Sequence, residues 1–345
     1  MRAVTLRYQN APDLSILGGS HGRSLVPLPG LNRGKGRNFD RVATRALGAA
    51  LVTLLSLSAA TYDIPHSSGG PARDRVRSSA PGAGPTSQMK TYGGLASWVD
   101  MYNKGPWKYP ERTASRMAQR GAATLLLQTS NYRKRRDVYR PSAMSRLLEA
   151  AHANGMKVVA WYLPSYAHAR RDWRRTKAAV TFTSTNGQNF DGFAMDIEST
   201  AESNIAVRNR RAIALSDRLR AFVGKDHALG AIIPDPVTQR FWPNFPYKRL
   251  SSRYDVFLPM AYWTFRTRGE RRVHRYTRDA LEIIRTKTND EAVPVHVIGG
   301  IASDASTAEV RGFAKAAVRF DALGASLYDY PITSDGQWDQ LQRVK

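Results

Sequence analysis

Asp196 and Glu198 are the residues of this 345-residue chain best spaced for chemistry. They close the run Phe190-Asp191-Gly192-Phe193-Ala194-Met195-Asp196-Ile197-Glu198. Read as a strand, the run alternates, setting Ala194, Asp196 and Glu198 on one face and Phe193, Met195 and Ile197 on the other. Two carboxyl groups at that spacing resist double ionisation, so one keeps a proton near neutral pH and can serve as a general acid. Glu198, the outer of the two, is better placed to reach a substrate, while Asp196 orients it and holds its proton.

Such a pair needs a scaffold. Short apolar runs alternate with longer amphipathic stretches, the pattern of βα units around a parallel sheet. The strand segments are Leu95–Met101, Ala122–Gln128, Lys157–Leu163, Gly192–Ile197, Ala228–Ile233, Val256–Ala261, Val293–Gly299 and Ala325–Tyr328. Helical stretches fall between most of them, among them Ser142–Ala153, Ile205–Phe222, Arg278–Arg285 and Ser306–Arg319. Eight strands in about 250 residues predict an α/β chain of the (β/α)8, or TIM-barrel, class. The competing architecture is an open doubly wound sheet. Its nucleotide-binding versions lose support, because the sequence has neither a GxGxxG turn after the first strand nor GxxxxGK[ST].

Barrel sites collect at the C-terminal ends of strands. Three predicted strand ends carry aromatic pairs: Trp161 with Tyr162, Tyr262 with Trp263, and Tyr328 with Tyr330. Rings there suit the apolar faces of sugars, and each ring taken singly equally suits core or rim packing. Carboxylates at strand ends are Asp100, Asp235 and Asp329. Asp235, in Ile233-Pro234-Asp235-Pro236, is as well suited to stabilising a turn as to chemistry.

The run Asp191-Gly192-Phe193-Ala194-Met195-Asp196-Ile197-Glu198 resembles the DGxDxDxE signature on the fourth strand of family-18 glycoside hydrolases, the chitinase-like barrels, and matches three of its four acidic positions. Met260-Ala261-Tyr262 is similar to the Met-x-Tyr on the sixth strand of the same family. The resemblance implies a barrel acting on polysaccharide, with Glu198 as general acid, Asp196 as its partner and Tyr262 against the substrate-derived intermediate. Ala194 stands where the family has its middle aspartate, which relays hydrogen bonding to the aspartate before the acid, and Trp263 stands where an aspartate usually follows the tyrosine. An Asp-x-Glu on a barrel strand is also similar to the family-25 lysozyme-like muramidases. A glycosidase needs a second group, be it a nucleophile, a base that activates water or the substrate's own amide. Asp196, Asp100, Asp235 and Asp329 are the options. The substrate-binding candidates are then Trp161, Tyr162, Tyr262, Trp263, Tyr328, Asp100, Asp191, Asp235 and Asp329.

Composition excludes several other chemistries. With no cysteine there is no disulfide framework, thiolate metal site or cysteine nucleophile. The seven histidines show no HExxH spacing, and no GxSxG elbow is present, so neither a metal nor another cofactor is implied. His296 reads simply as a strand residue facing a helix or the barrel. The net charge of +24, of which +18 falls on residues 61–345, favours polyanionic partners, an anionic cell-wall polymer among them. Arg133-Lys134-Arg135-Arg136, Arg170-Arg171 and Arg271-Arg272 lie in no recognisable nucleic-acid module, so no specific nucleic-acid partner is expected and solvated helix and loop faces account for them.

The uncharged run 46–60, preceded by Arg41 and Arg45 and ending in small residues, has the layout of a secretory signal with cleavage after Ala60. An uncleaved membrane anchor and a short buried helix are the competing readings, and the polar stretch 1–40 is longer than a usual signal n-region. Residues 61–91, rich in Pro, Gly and Ser, read as a disordered linker, leaving 92–345 for the barrel. The expectation is a secreted or cell-surface glycoside-hydrolase-like protein acting on peptidoglycan or another polysaccharide. Its rivals are a noncatalytic carbohydrate-binding barrel, favoured by Ala194, and a basic wall-associated protein without sugar chemistry.

Overall fold

The computed structural model describes residues 86–238 and 240–344. All eight apolar runs form parallel strands, with ends no more than three residues from those expected. They are β1 Gly94–Val99, β2 Thr124–Asn131, β3 Lys157–Leu163, β4 Gly192–Asp196, β5 Ala228–Ile233, β6 Val256–Pro259, β7 His296–Ile301 and β8 Gly324–Tyr328. The helices are α1 Ser87–Lys90, α2 Lys104–Lys108, α3 Pro110–Gln119, α4 Pro141–Ala153, α5 Ala169–Val180, α6 Ile205–Val223, α7 Tyr247–Ser251, α8 Glu270–Thr288, α9 Thr307–Arg319 and α10 Asp335–Leu341.

The strands hydrogen-bond in the order β6-β5-β4-β3-β2-β1-β8-β7, and bridges Phe257↔Val295 and Met260↔Ile298 join the two ends into a ring. Parallel strands covered on both faces read as unbroken apolar runs, which is why they were visible in the sequence. Side-chain alternation then splits the core in two. One set, including Phe193, Met195 and Ile197, packs under the helices. The other, including Trp98, Leu126, Val159, Trp161, Ala194, Ile232 and Leu258, fills the barrel. The open-sheet alternative is excluded by this closure.

Local rules hold the outer layer in place. At the start of α9 the Ser306 hydroxyl accepts from the Glu309 amide at 3.2 Å while the Glu309 carboxylate accepts from the Ser306 amide at 2.9 Å, satisfying two free helix donors. Gly312 on the same helix lies so close to the carbonyl of Glu270 in α8 that a Cβ would collide with it, so only glycine permits this approach.

Residues 86–91, inside the stretch expected to be linker, form α1 and the turn after it. The anchor is Tyr92, buried in the bottom of the barrel, whose hydroxyl donates to the Phe193 carbonyl at 2.8 Å. The apolar run 46–60 and the rest of the stretch up to residue 85 lie outside the described residues. Among those described, no helix is long and apolar enough to cross a membrane.

Candidate active site

Asp196 ends β4 on the inward face, one alternation step above Ala194. It is 5% exposed, and its Oδ1 has no hydrogen-bond partner. Burial, and then the charge of Glu198, push its pKa well above the ordinary carboxylate range. Burial and that neighbouring charge therefore favour the protonated form of Asp196. Glu198 lies two residues further, in the turn beyond the strand, and is half-buried.

A second acidic centre forms where β8 meets β1. Asp100 Oδ1 accepts from the amides of Tyr102 at 2.7 Å and Asn103 at 3.0 Å, and its Oδ2 accepts from the Tyr328 hydroxyl at 2.7 Å. Asn103 Nδ2 donates to Asp329 Oδ2 at 2.9 Å. Burial raises the pKa of Asp100, and burial together with the Asp100 charge pushes Asp329 up to about 7. An acid of that pKa is half ionised at neutral pH and is suited to accepting a proton from water.

Aromatic rings span the wall between the two centres. Trp161 meets Trp98 edge-on at 5.8 Å, Trp98 lies 6.1 Å from Tyr328, and Tyr328 lies 6.3 Å from Tyr262. Trp98 is held by its indole N–H, which donates to Ser326 Oγ at 2.8 Å. Ser326 also lies 3.0 Å from His296, a buried inward residue whose pKa burial lowers to about 4. Trp98 is not among the candidates drawn from the sequence, although alternation places it one step below Asp100.

Four candidates do not join this group. Tyr162 follows the inward Trp161, so the pleat turns it outward, where its hydroxyl donates to Asp172 at 2.9 Å. Trp263, next to Tyr262, is fully buried against Phe313 of α9 and the backbone of Gly299 and Gly300. Asp191 sits at the opposite end of the barrel, before β4, where it is bonded by His152 at 2.8 Å, Lys157 at 2.9 Å and the Val158 amide at 2.8 Å. Asp235 follows β5 but is turned to its own loop and to α8, accepting from the Val237 amide at 3.0 Å, Thr238 Oγ1 at 2.6 Å and the Tyr276 hydroxyl. Trp161, Tyr262, Tyr328, Asp100, Asp329, Asp196 and Glu198 are brought to one end of the ring.

No family model matches the chain, and no curated protein matches it in sequence. Solved structures do match in fold. The endo-β-1,4-mannanase of Thermotoga petrophila superimposes with a TM-score of 0.55 over 69% of this chain and 68% of its own, at 10% identity. The chain shares the (β/α)8 barrel fold of that enzyme. The same barrel is seen in the spore cortex-lytic enzyme SleL of Bacillus cereus, with a TM-score of 0.53 at 10% identity over 73% of this chain and 74% of its own. It is seen again in a family GH18 chitinase of Cycas revoluta in complex with allosamidin, with a TM-score of 0.53 at 10% identity over 72% of this chain and 98% of its own. At these identities the likeness is one of fold.

Proposed function

We propose that this barrel is a glycoside hydrolase acting on a polysaccharide, peptidoglycan included, with Glu198 as general acid and Asp196 as the protonated partner that keeps Glu198 supplied. The observation that carries the reading is the buried Asp196 carboxyl at the end of β4, its pKa raised by burial and by Glu198 two residues beyond. In the proposed step the proton held on Asp196 passes to the Glu198 carboxylate, Glu198 gives it to the glycosidic oxygen as that oxygen's bond to the anomeric carbon breaks, and a water oxygen bonds that carbon. Asp329, with a pKa of about 7, takes the proton lost by the water. Tyr262, Tyr328, Trp98 and Trp161 supply ring surface for the sugars. Export to the cell surface through the segment at 41–60 belongs to the same proposal and suits a wall substrate.

The test is sugar release from mannan, chitin and peptidoglycan by the protein and its Glu198→Gln variant. Release lost by a factor of about 10²–10⁴ in the variant supports the reading; equal release from both overturns it.

One observation favours a second reading. Asp196 Oδ1 is unpartnered and Ala194, the residue beneath it on the same face, offers no polar group. A barrel that binds saccharide without cleaving it would show binding to the same panel and no release from either protein.

A further inference from the structure

The run Arg133-Lys134-Arg135-Arg136 has no part in the proposed reaction. It lies between β2 and α4, and in a βα barrel the segment after a strand stands on the face of the strands' C-terminal ends. The run therefore shares the face of Asp196 and Glu198. A chain of contacts ties it to the ring's mouth. Tyr328 donates to Asp100, the Tyr102 amide donates to Asp100, and Lys134 Nζ stands 4.7 Å over the Tyr102 ring. Asn131 at the end of β2 adds a bond to the Tyr102 hydroxyl at 3.1 Å.

The charges of Arg135 and Arg136 are not cancelled by an ion pair among the described residues. Several cations elsewhere are paired off, Arg146 with Glu111, Arg253 with Asp217, and Arg311 and Lys315 with Glu270, while others, Lys248 and Arg249 on α7 among them, have no ion pair among the described residues. The acid of the loop itself, Asp137, is already engaged by Arg174 and Arg175 from α5. Arg135, Arg136 and the neighbouring Lys104 are exposed, and among the described residues none of the three has an ion pair. Rings are interleaved with these cations. Tyr102 is 51% and Tyr109 49% exposed, and Arg140 stacks on Tyr139 at 5.3 Å. Exposed rings take apolar sugar faces, and free guanidinium groups take carboxylate, sulfate or phosphate.

We infer that the face formed by residues 100–109 and the β2–α4 segment, which meet where Trp107 packs on Tyr139 at 5.4 Å, binds an anionic polysaccharide, its sugar faces on Tyr102 and Tyr109 and its acidic groups on Arg135, Arg136 and Lys104, and leads that chain to the carboxyl pair of β4. The inference rests on the glycoside hydrolase reading and narrows its substrate to polymers with repeated negative charge.

Binding is read with the Glu198→Gln protein, so that turnover does not consume the ligand, using polygalacturonate, dextran sulfate, neutral mannan and single-stranded DNA. Polygalacturonate binds, weakening as salt rises, and the Arg135→Ala, Arg136→Ala double variant binds it about tenfold or more weakly. Arg135→Lys, Arg136→Lys retains most of the binding. Lys248→Ala, Arg249→Ala, which removes the same charge from exposed positions on α7, leaves it unchanged. Preference for polygalacturonate over dextran sulfate assigns the negative group as carboxylate; equal binding supports an anionic glycan whose group is a sulfate or phosphate as readily. An equal loss from the α7 variant, mannan binding as tight as polygalacturonate, or DNA competing as well as polygalacturonate overturns the inference. Binding of this pattern with no sugar release by the unsubstituted protein overturns the hydrolase reading alone.

Discussion

Tyr328, the last residue of β8, donates its hydroxyl hydrogen at 2.7 Å to Asp100, which follows the end of β1. This bond crosses the seam between two strands far apart in sequence and places Asp100 where its charge reaches Asp329. The consequence is a carboxyl group poised near neutrality, Asp329, at the same end of the ring as Asp196, whose protonated form burial favours.

A pH dependence follows. If Asp329 accepts the proton of water, activity rises with pH through about 7 as Asp329 ionises. Burial and the Asp100 charge hold the Asp329 pKa up, so Asp100→Asn lowers it and moves the rising limb of the kcat/KM profile to lower pH. An unmoved limb would remove Asp329 from the reaction.

Asp196 should cost the fold stability as pH rises. Its folded pKa is raised above the unfolded value of about 3.8, so the folded state binds the proton more tightly. That contribution is fully present below about pH 4 and is lost as pH climbs towards the folded pKa. Asp196→Asn, which carries no titrating proton, should therefore gain in Tm relative to the parent between pH 4 and 7 while losing activity. A Tm difference that stays constant across this range would show that Asp196 is not held protonated.

Asp191 behaves in the opposite sense. Burial opposes its charge, but the bonds from His152, Lys157 and the Val158 amide outweigh burial and draw its pKa down to about 2. The stability it contributes is present above the unfolded value near 3.8 and is lost as pH falls towards 2. Asp191→Asn should cost about 2 kcal/mol at pH 6, measured by denaturant unfolding, because each pKa unit corresponds to about 1.4 kcal/mol. Saccharide binding at the far end of the barrel should be unchanged.

Neighbouring rings should separate by function. Trp263→Ala empties a fully buried position against Phe313 and should destabilise the fold by about 3–5 kcal/mol. Tyr262→Ala removes a partly buried ring at the barrel end and should weaken saccharide binding with a much smaller loss of stability. Calorimetric Tm and saccharide affinity, measured on both variants, check the division.

The fold was legible because a closed parallel sheet buries both faces of each strand and so writes each strand as an apolar run. The acids of β4 were legible for the same reason, since carboxylates at the end of such a run stand out. The aromatic pairs were half legible. In Trp161-Tyr162 and Tyr262-Trp263 the period of two allows one ring of each pair to face inward, and residue type alone does not say which. Asp191 was misplaced because its motif neighbours end a strand while it precedes one. The charge of Asp100 on Asp329 depends on β8 lying beside β1, a closure that no local pattern encodes.

The role of Glu198 as general acid is tested most directly by leaving-group dependence. A general acid matters most when the departing oxygen is strongly basic. Once a cleaved polysaccharide is in hand, Glu198→Gln should lose about 10²–10⁴ in kcat/KM on it while keeping most of the parent activity on the dinitrophenyl glycoside of the same sugar. Equal losses on both substrates, or no loss on the polysaccharide, would contradict the assignment of Glu198 as the acid.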